Sequence, residues 1–300
     1  MAQFQRIGVV AQLRHPKVVD SLNRLVAFLK ADGRTVIAEQ DTASSLADRS
    51  VEALARKDLT SDSLDLVIVV GGDGSMLGAA RSLIDLDIPM LGLNRGRLGF
   101  LTDISPEQME AGIGQVLAGN YKMSERFLLE VSVYRNGNPE AIASGMALND
   151  VVLHPGRSVR MMEFELYIDN AFVYSQRSDG LIVSTPTGST AYALSAGGPI
   201  MCPELDALVL VPMNPHTLSS RPIVVSGSSE LEVRVGPFNK LHPKATCDGQ
   251  YEIAAEPGDA IRIVKHPKPV RLIHPQEHNF YEVCRRKLGW GSRLDAENNS

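Results

Sequence analysis

Along the first 120 residues, short continuous apolar runs alternate with stretches whose apolar residues recur every three or four positions. Residues 6–12 read as a strand. Residues 16–30 follow as a helix, with Val18, Leu22, Leu25, Val26 and Leu29 on one face and Gly33 as its stop. Residues 35–39 are strand-like and 46–56 helix-like. Residues 64–70 are almost continuously apolar, as in a parallel strand covered on both faces, and run into Gly71-Gly72-Asp73-Gly74. A helix is expected over 75–84 and a strand over 88–93. A second Gly-rich turn follows, Asn94-Arg95-Gly96-Arg97. Ser105-Pro106-Glu107-Gln108 resembles a capping box that opens a helix reaching Leu117. Strands and helices alternating at this spacing predict an open α/β sheet.

The period changes near residue 125. Residues 127–135 are strand-rich. Met162, Phe164, Leu166 and Ile168 alternate with Glu163, Glu165 and Tyr167. Asp169-Asn170 reads as a hairpin turn with a return strand over 171–175, and Asp248-Gly249 as another such turn. Leu231, Val233 and Val235 alternate, as do Ile261 and Ile263. Residues 125–275 are therefore expected to be mainly antiparallel β. Residues 280–288 have helical character, and 291–300 read as a solvated end.

Length and composition narrow the picture. The chain has 300 residues, which at about 150 per domain suggests two domains. Thirty bases against 35 acids leave a charge of −5, which argues against a nucleic-acid partner. With 44% hydrophobic and 22% charged residues, the composition is that of a globular protein. Apolar runs are too short to span a bilayer and no secretory pattern opens the chain, so no membrane partner is expected. Three scattered cysteines without a CxxC argue against a disulfide scaffold or a cysteine zinc site and suit a cytoplasmic location. His274 and His278 are four apart, but Pro275 breaks the helix that would align them, so no zinc site is expected there.

Candidate chemistry sits in the Gly-rich turns. Glycines after a parallel strand let the backbone approach a ligand, and the following helix N-terminus favours an anion. GxxxxGK[ST] is absent, and Gly72, Gly74 and Gly78 give a spacing one residue longer than the dinucleotide fingerprint. An acid lies inside the turn. A carboxylate beside phosphate is repulsive unless it meets a metal ion or accepts a hydroxyl proton, so Asp73 is either a general base or a helix cap. Arg95 and Arg97 are candidate phosphate contacts or plain surface arginines. Asn149-Asp150 could read a base or ribose through paired donors and acceptors, or form a bulge. Five of the seven residues from 184 to 190 are Ser or Thr, a density that suits an uncharged polar ligand. Tyr192 beside them could supply a flat wall. GxSxG is absent here, which weakens a serine-hydrolase reading.

Taken in order, GGDGSML (71–77), LNRGRLGFLTD (93–103), ND (149–150), DGLIVSTPTGSTAY (179–192), SAGGP (195–199) and CDGQ (247–250) resemble the motif series of the bacterial NAD kinase family. GGDG alone is less specific, since lipid kinases and phosphofructokinases carry similar turns. The resemblance spans roughly residues 60–250. It implies phosphoryl transfer from ATP to the 2′-hydroxyl of the adenosine ribose of NAD, giving NADP, with a divalent metal cation, usually Mg²⁺. It implies an N-terminal open α/β, Rossmann-like domain (1–125) carrying the GGDG loop and a mostly antiparallel β dinucleotide-binding domain (126–275). A C-terminal segment (276–300) would return its helix to the first domain, and the chain would form a homodimer or homotetramer. By the same resemblance Asp73 would be the base, with Gly74 beside it, and Asn149 and Asp150 would hold the adenosine. Arg177 and Asp179 would contact the second nucleoside, and Thr190, Ala191, Tyr192 and Ser195 the nicotinamide side. Arg160 would be a further dinucleotide contact at a position often His in relatives, and Gln250 would close the pocket. Ser75 stands where many relatives have Thr, and both keep a hydroxyl. A lipid kinase of the GGDG type and a non-catalytic NAD(P)-binding sensor are the alternatives. The choice of ATP or polyphosphate as donor stays open.

Overall fold

The computed structural model describes residues 4–11, 16–94, 99–156, 158, 160–240 and 242–290. The chain divides into two compact units, Met1–Ser124 with Arg271–Ser300 and Glu125–Val270.

The first unit opens with β1 (Arg6–Ala11), α1 (Pro16–Ala31), β2 (Thr35–Glu39), α2 (Gln40–Ala43) and β3 (Glu52–Leu54). It continues with β4 (Leu66–Val70), α3 (Asp73–Leu83), β5 (Met90–Leu93) and α4 (Met109–Leu117). The five strands are parallel in the order β3-β2-β1-β4-β5. All five residues of β4 are buried, as its unbroken apolar run requires. The α1 stripe of Val18, Leu22, Leu25, Val26 and Leu29 packs into the same core as Ile68 and Val70. The strand order reverses direction at the β1–β4 neighbours. Open α/β sheets bind ligands beyond the carboxyl ends of strands at such a point.

Two local expectations fail. Residues 46–56 are not a helix, because Glu52–Leu54 pairs in parallel with Ile37–Glu39, a contact no local periodicity reveals. Asp48 instead accepts the Ser50 backbone N–H and hydroxyl in a tight turn. Ser105 opens a short 3₁₀ turn (Pro106–Gln108) without any side-chain cap bond, so the capping box does not form.

The second unit is all antiparallel. Its strands are β6 (Tyr121–Tyr134, entering from the first unit), β7 (Ala143–Ala147), β8 (Asp150–His154), β9 (Met162–Ile168), β10 (Ala171–Ser178) and β11 (Gly180–Ser184). A 3₁₀ turn (Thr187–Thr190) and α5 (Tyr192–Ser195) follow. Then come β12 (Ala207–Met213), β13 (Ile223–Ser226), β14 (Leu231–Val235), β15 (Lys244–Cys247), β16 (Tyr251–Ala254) and β17 (Ala260–Pro275). One sheet has the order β13-β12-β11-β8-β15-β16, and the other contains β10-β9-β14-β17 with β6 and β7. Alternate residues of both sheets, among them Val151, Leu153, Phe164, Leu166, Val183, Leu231 and Ile261, share one core.

The return to the first unit begins at Arg271 rather than 276. The reason is that β17 continues straight on, and its Leu272 and Ile273 pair in parallel with Met90 and Leu91 of β5. The helix that follows, α6 (Phe280–Leu288), is capped by the Asn279 side chain, which accepts from Tyr281 and Glu282 N–H, and ends at Gly289 with φ 68°. The Lys287 ammonium lies over the Phe100 ring of the same unit, 5.5 Å from its centroid. No helix among the described residues is long and apolar enough to cross a membrane.

Candidate active site

In the first unit the turn after β4 lies at the switch point. Gly72 precedes α3, and Asp73 is its first residue. The Asp73 carboxylate does not reach its own helix. Oδ2 accepts the Phe100 N–H at 2.8 Å, and Oδ1 accepts the Leu101 N–H at 3.1 Å and the Thr102 hydroxyl at 3.2 Å. Gly99 closes this turn, its N–H donating to Thr102 O at 3.2 Å. Only glycine fits there, since a Cβ would lie 2.0 Å from Asp73 Oδ1. Three donors therefore fix one carboxylate at the positive end of an 11-residue helix. Gly74 is exposed beside it. Arg95 and Arg97 lie outside the described residues.

In the second unit a groove of about 460 Å³ is lined by Asn149, Asp150, Ala191, Tyr192, Asp248 and neighbours that include His154, Thr246 and Glu252. Asp150 begins β8 and Asn149 immediately precedes it. The Asp248 carboxylate accepts the backbone N–H groups of Leu148 (3.1 Å), Asn149 (2.7 Å) and Asp150 (3.3 Å). It can do so because Asp248 and Gly249, at φ 52° and 64°, form a tight hairpin turn closed by Gln250 N–H to Cys247 O at 2.9 Å. Asp150 is buried, and that desolvation, with the nearby Asp248 charge second, pushes its pKa up to about 7. Tyr192, half exposed, supplies an aromatic wall.

The hydroxyl-rich segment does less at the surface than its composition suggests. Ser184 donates to Asn149 O, Thr185 to Leu148 O at 2.6 Å, and Ser189 to Pro186 O at 2.7 Å. These three side chains are buried and spent on holding the backbone of 148–149 and 186. Gly188 packs against the same backbone, where a Cβ would meet Asn149 O at 2.1 Å. The cluster builds the groove wall and does not surround a ligand with these hydroxyls.

Other expected site residues fall elsewhere. Arg160 and Arg177 line a separate hollow of about 390 Å³ with Lys240, Glu163 and Phe238. Asp179 donates its N–H to Met213 O and accepts from Asn214 Nδ2, both at 2.9 Å. Thr190 is half-buried, while Ser195 and Gln250 are exposed; none of the three lines the groove. Sequence reasoning missed Asp248 as the organiser of 148–150 and the Gly99–Thr102 turn as the holder of Asp73. Both lay inside quoted motifs, but their partners are distant in sequence.

A Gly-rich turn with an embedded acid at a switch point in one unit, and an aromatic-walled groove in the other, are features of a nucleotide-binding protein that acts on a hydroxyl or phosphate. Comparison with known proteins narrows this. Residues 7–121 match the ATP-NAD kinase N-terminal domain and 148–275 the ATP-NAD kinase C-terminal domain. The chain is 58% identical to an NAD kinase of Marinobacter nauticus, over 99% of this chain and 100% of that one. It is 56% identical to an NAD kinase of Hahella chejuensis, over 98% and 99%. The crystal structure of an Archaeoglobus fulgidus NAD kinase in complex with ATP superposes with a TM-score of 0.68 at 26% identity, covering 95% of this chain and 97% of that one. Yeast NADH kinase complexed with NADH shares the fold, with a TM-score of 0.87 at 24% identity over 98% and 93%. The chain belongs to the ATP-NAD kinase family.

Proposed function

We propose that the chain transfers the γ-phosphoryl group of ATP to the 2′-hydroxyl of the adenosine ribose of NAD, giving NADP. The observation that carries this reading is Asp73, an acid fixed where an anion-binding turn would otherwise hold none. Phosphoryl transfer needs alignment, charge neutralisation and a group to take the hydroxyl proton. A carboxylate offers roughly four lone-pair sites, and the 99–102 turn occupies three of them. The remaining site is suited to the ribose hydroxyl. As the 2′-oxygen attacks the γ-phosphorus, its proton passes to Asp73. The bond from phosphorus to the bridging oxygen breaks, and ADP leaves with the electron pair. Matches to both kinase domains do not favour the lipid-kinase and sensor alternatives.

The second unit supplies nucleoside recognition in this reading. Adenine presents an amino donor beside a ring-nitrogen acceptor. Asp150, protonated through much of the range below pH 7, offers the matching acceptor and donor, and Asn149 does the same with its amide. Ala191 and Tyr192 form the wall on the nicotinamide side, with Thr190 and Ser195 behind. Arg177 and Asp179 contact the second nucleoside, Arg160 is a further dinucleotide contact, and Gln250 closes the pocket. A divalent cation, Mg²⁺ by preference, accompanies ATP. Mg²⁺ takes oxygen ligands mostly from phosphates and water, so it would be held chiefly by the ATP phosphates, leaving the last acceptor site of Asp73 to the ribose hydroxyl. When bound, the ion neutralises charge on the transferring phosphates.

We also place the protein in the cytoplasm, as a homodimer or homotetramer. The assembly rests on the family resemblance. The functional test incubates purified chain with ATP, Mg²⁺ and NAD and detects NADP with an NADP-specific dehydrogenase. NADP formation is expected. A folded protein that makes none, with polyphosphate and NADH also tried, overturns the reading.

A further inference from the structure

The sequence spacing argues against metal at His274 and His278, yet the structure unites them without a helix. His274 is the last residue but one of β17, and the chain turns after Pro275, with His278 N–H donating to Pro275 O at 2.9 Å. The two rings stack at 4.2 Å with 23° between their planes. Asp103, from the loop after β5, meets both. His274 Nδ1 hydrogen-bonds its Oδ2, and His278 Nδ1 lies 3.3 Å from the same oxygen. One ligand atom from each residue falls within 4.8 Å of the others. All three residues are in the first unit.

We propose that Asp103, His274 and His278 form a binding site for one divalent transition-metal ion of the zinc type. Two imidazole nitrogens and one carboxylate suit zinc and its neighbours, whereas Mg²⁺ asks for oxygen ligands. Ligand atoms on a tetrahedral zinc ion lie about 3.4 Å apart, so small side-chain shifts close the cluster around it. Three protein ligands leave a fourth position for water. A cavity of about 450 Å³ bordered by Asp103, His278 and Glu282 provides the room. The remaining nitrogen of His274, Nε2, is 2.8 Å from Ser124 Oγ, the outer partner that a metal-bound imidazole requires.

A purely structural pair of hydrogen bonds would account for Asp103 Oδ2. It does not account for Oδ1, which is buried with no hydrogen-bond partner among the described residues. An unpaired buried carboxylate oxygen is costly, and a cation beside it removes that cost. The site has a direct route to the proposed reaction. Asp103 follows Thr102, whose hydroxyl holds Asp73. A bound ion would pin the 99–103 loop from its far end. This consequence rests on the kinase reading; the metal site itself does not.

The test uses the full chain without an affinity tag, stripped by a chelator. Zn²⁺ is titrated by calorimetry and Co²⁺ by visible absorbance. One Zn²⁺ per chain is expected, with the d–d bands of low-coordinate Co²⁺ and no displacement by millimolar Mg²⁺. Loss of an outer partner alone costs 10–100-fold in metal affinity, so loss of a ligand in His278→Gln or Asp103→Asn should cost at least ~100-fold. The partly exposed His278 makes the first of these the safer variant for folding, checked by circular dichroism. Absence of Zn²⁺ binding to the wild type, or equal binding by both variants, overturns the site. NADP formation is recorded in parallel, so that failure of the metal site and failure of the kinase reading are told apart.

Discussion

Two carboxylates of the molecule, Asp73 in the first unit and Asp150 in the second, differ in how many backbone donors reach them. Asp73 receives two backbone N–H groups and a hydroxyl at a helix N-terminus, which fix where its oxygens lie. Asp150 sits buried beside Asp248, which takes the local N–H donors for itself, and its pKa climbs to about 7. The same side chain is thus held in place by loop donors in one unit and left as a titrating donor–acceptor in the other. Backbone donors decide which. In the proposed reading, proton transfer goes to the turn and base recognition to the groove.

The largest effect short of removing Asp73 should come from displacing it. Gly99→Ala puts a methyl group where Asp73 Oδ1 lies, so the carboxylate must move. A misplacement of about 1 Å costs on the order of 10²-fold in kcat. Steady-state kinetics should show that loss with the KM for NAD within about twofold, since binding and chemistry are assigned to different units. A KM change of the same size as the kcat change would break the division.

Asp248→Ala comes next. It strips an acceptor from three backbone N–H groups and leaves the start of β8 without its anchor. A fully buried unpaired donor costs about 1–3 kcal/mol, and these three are only partly buried, so a loss of about 2–4 kcal/mol is expected in denaturant unfolding of the second unit. The KM for NAD should rise tenfold or more while kcat at saturation changes little, at about 1.4 kcal/mol for each factor of ten. Unchanged stability would show that Asp248 is not the organiser assigned here.

The smallest effect is also the most discriminating. Asp150 has a folded pKa of about 7 against an ordinary 3.8. Between those values the folded chain holds a proton that the unfolded chain has lost. Its contribution to stability is therefore full below pH about 4 and is lost as pH rises through 7. Asp150→Asn should raise Tm more at pH 8 than at pH 5. The wild-type KM for NAD should rise about threefold to tenfold from pH 6 to pH 8 as the donor is lost. In the variant it should stay flat. A parallel pH profile in wild type and variant would remove Asp150 from base recognition.

How much of this was legible in the chain varies by region. The β4 run into GGDG fixes a strand, a turn and a helix through local pattern alone, and the β4–α3 passage has that form. What holds Asp73 was not legible, because its donors lie 27 to 29 residues away and reach it only once the 99–102 turn folds back. Asp248-Gly249 could be read as a turn from two residues. That its carboxylate serves Leu148 to Asp150 depends on pairing β15 with β8, across about 100 residues. Residues 46–56 misled for the same reason, since a three-residue strand is specified by its neighbour rather than by its own period. The Ser and Thr density of 184–190 was visible, but composition could not say which hydroxyls point at backbone. Helical spacing carries no information on His274 and His278, because the pair lies on a strand followed by a turn.

Most direct is kcat of Asp73→Asn with ATP, Mg²⁺ and NAD all saturating, alongside Tm. Asparagine keeps the size and loses the base. It also leaves one of the loop N–H donors without an acceptor, so a Tm lower by a few degrees is expected. If Asp73 takes the ribose proton, kcat falls roughly 10²–10⁴-fold in a protein that remains folded and still binds NAD. A folded Asp73→Asn with wild-type kcat would contradict that assignment and leave Asp73 as the brace of the 99–102 turn alone.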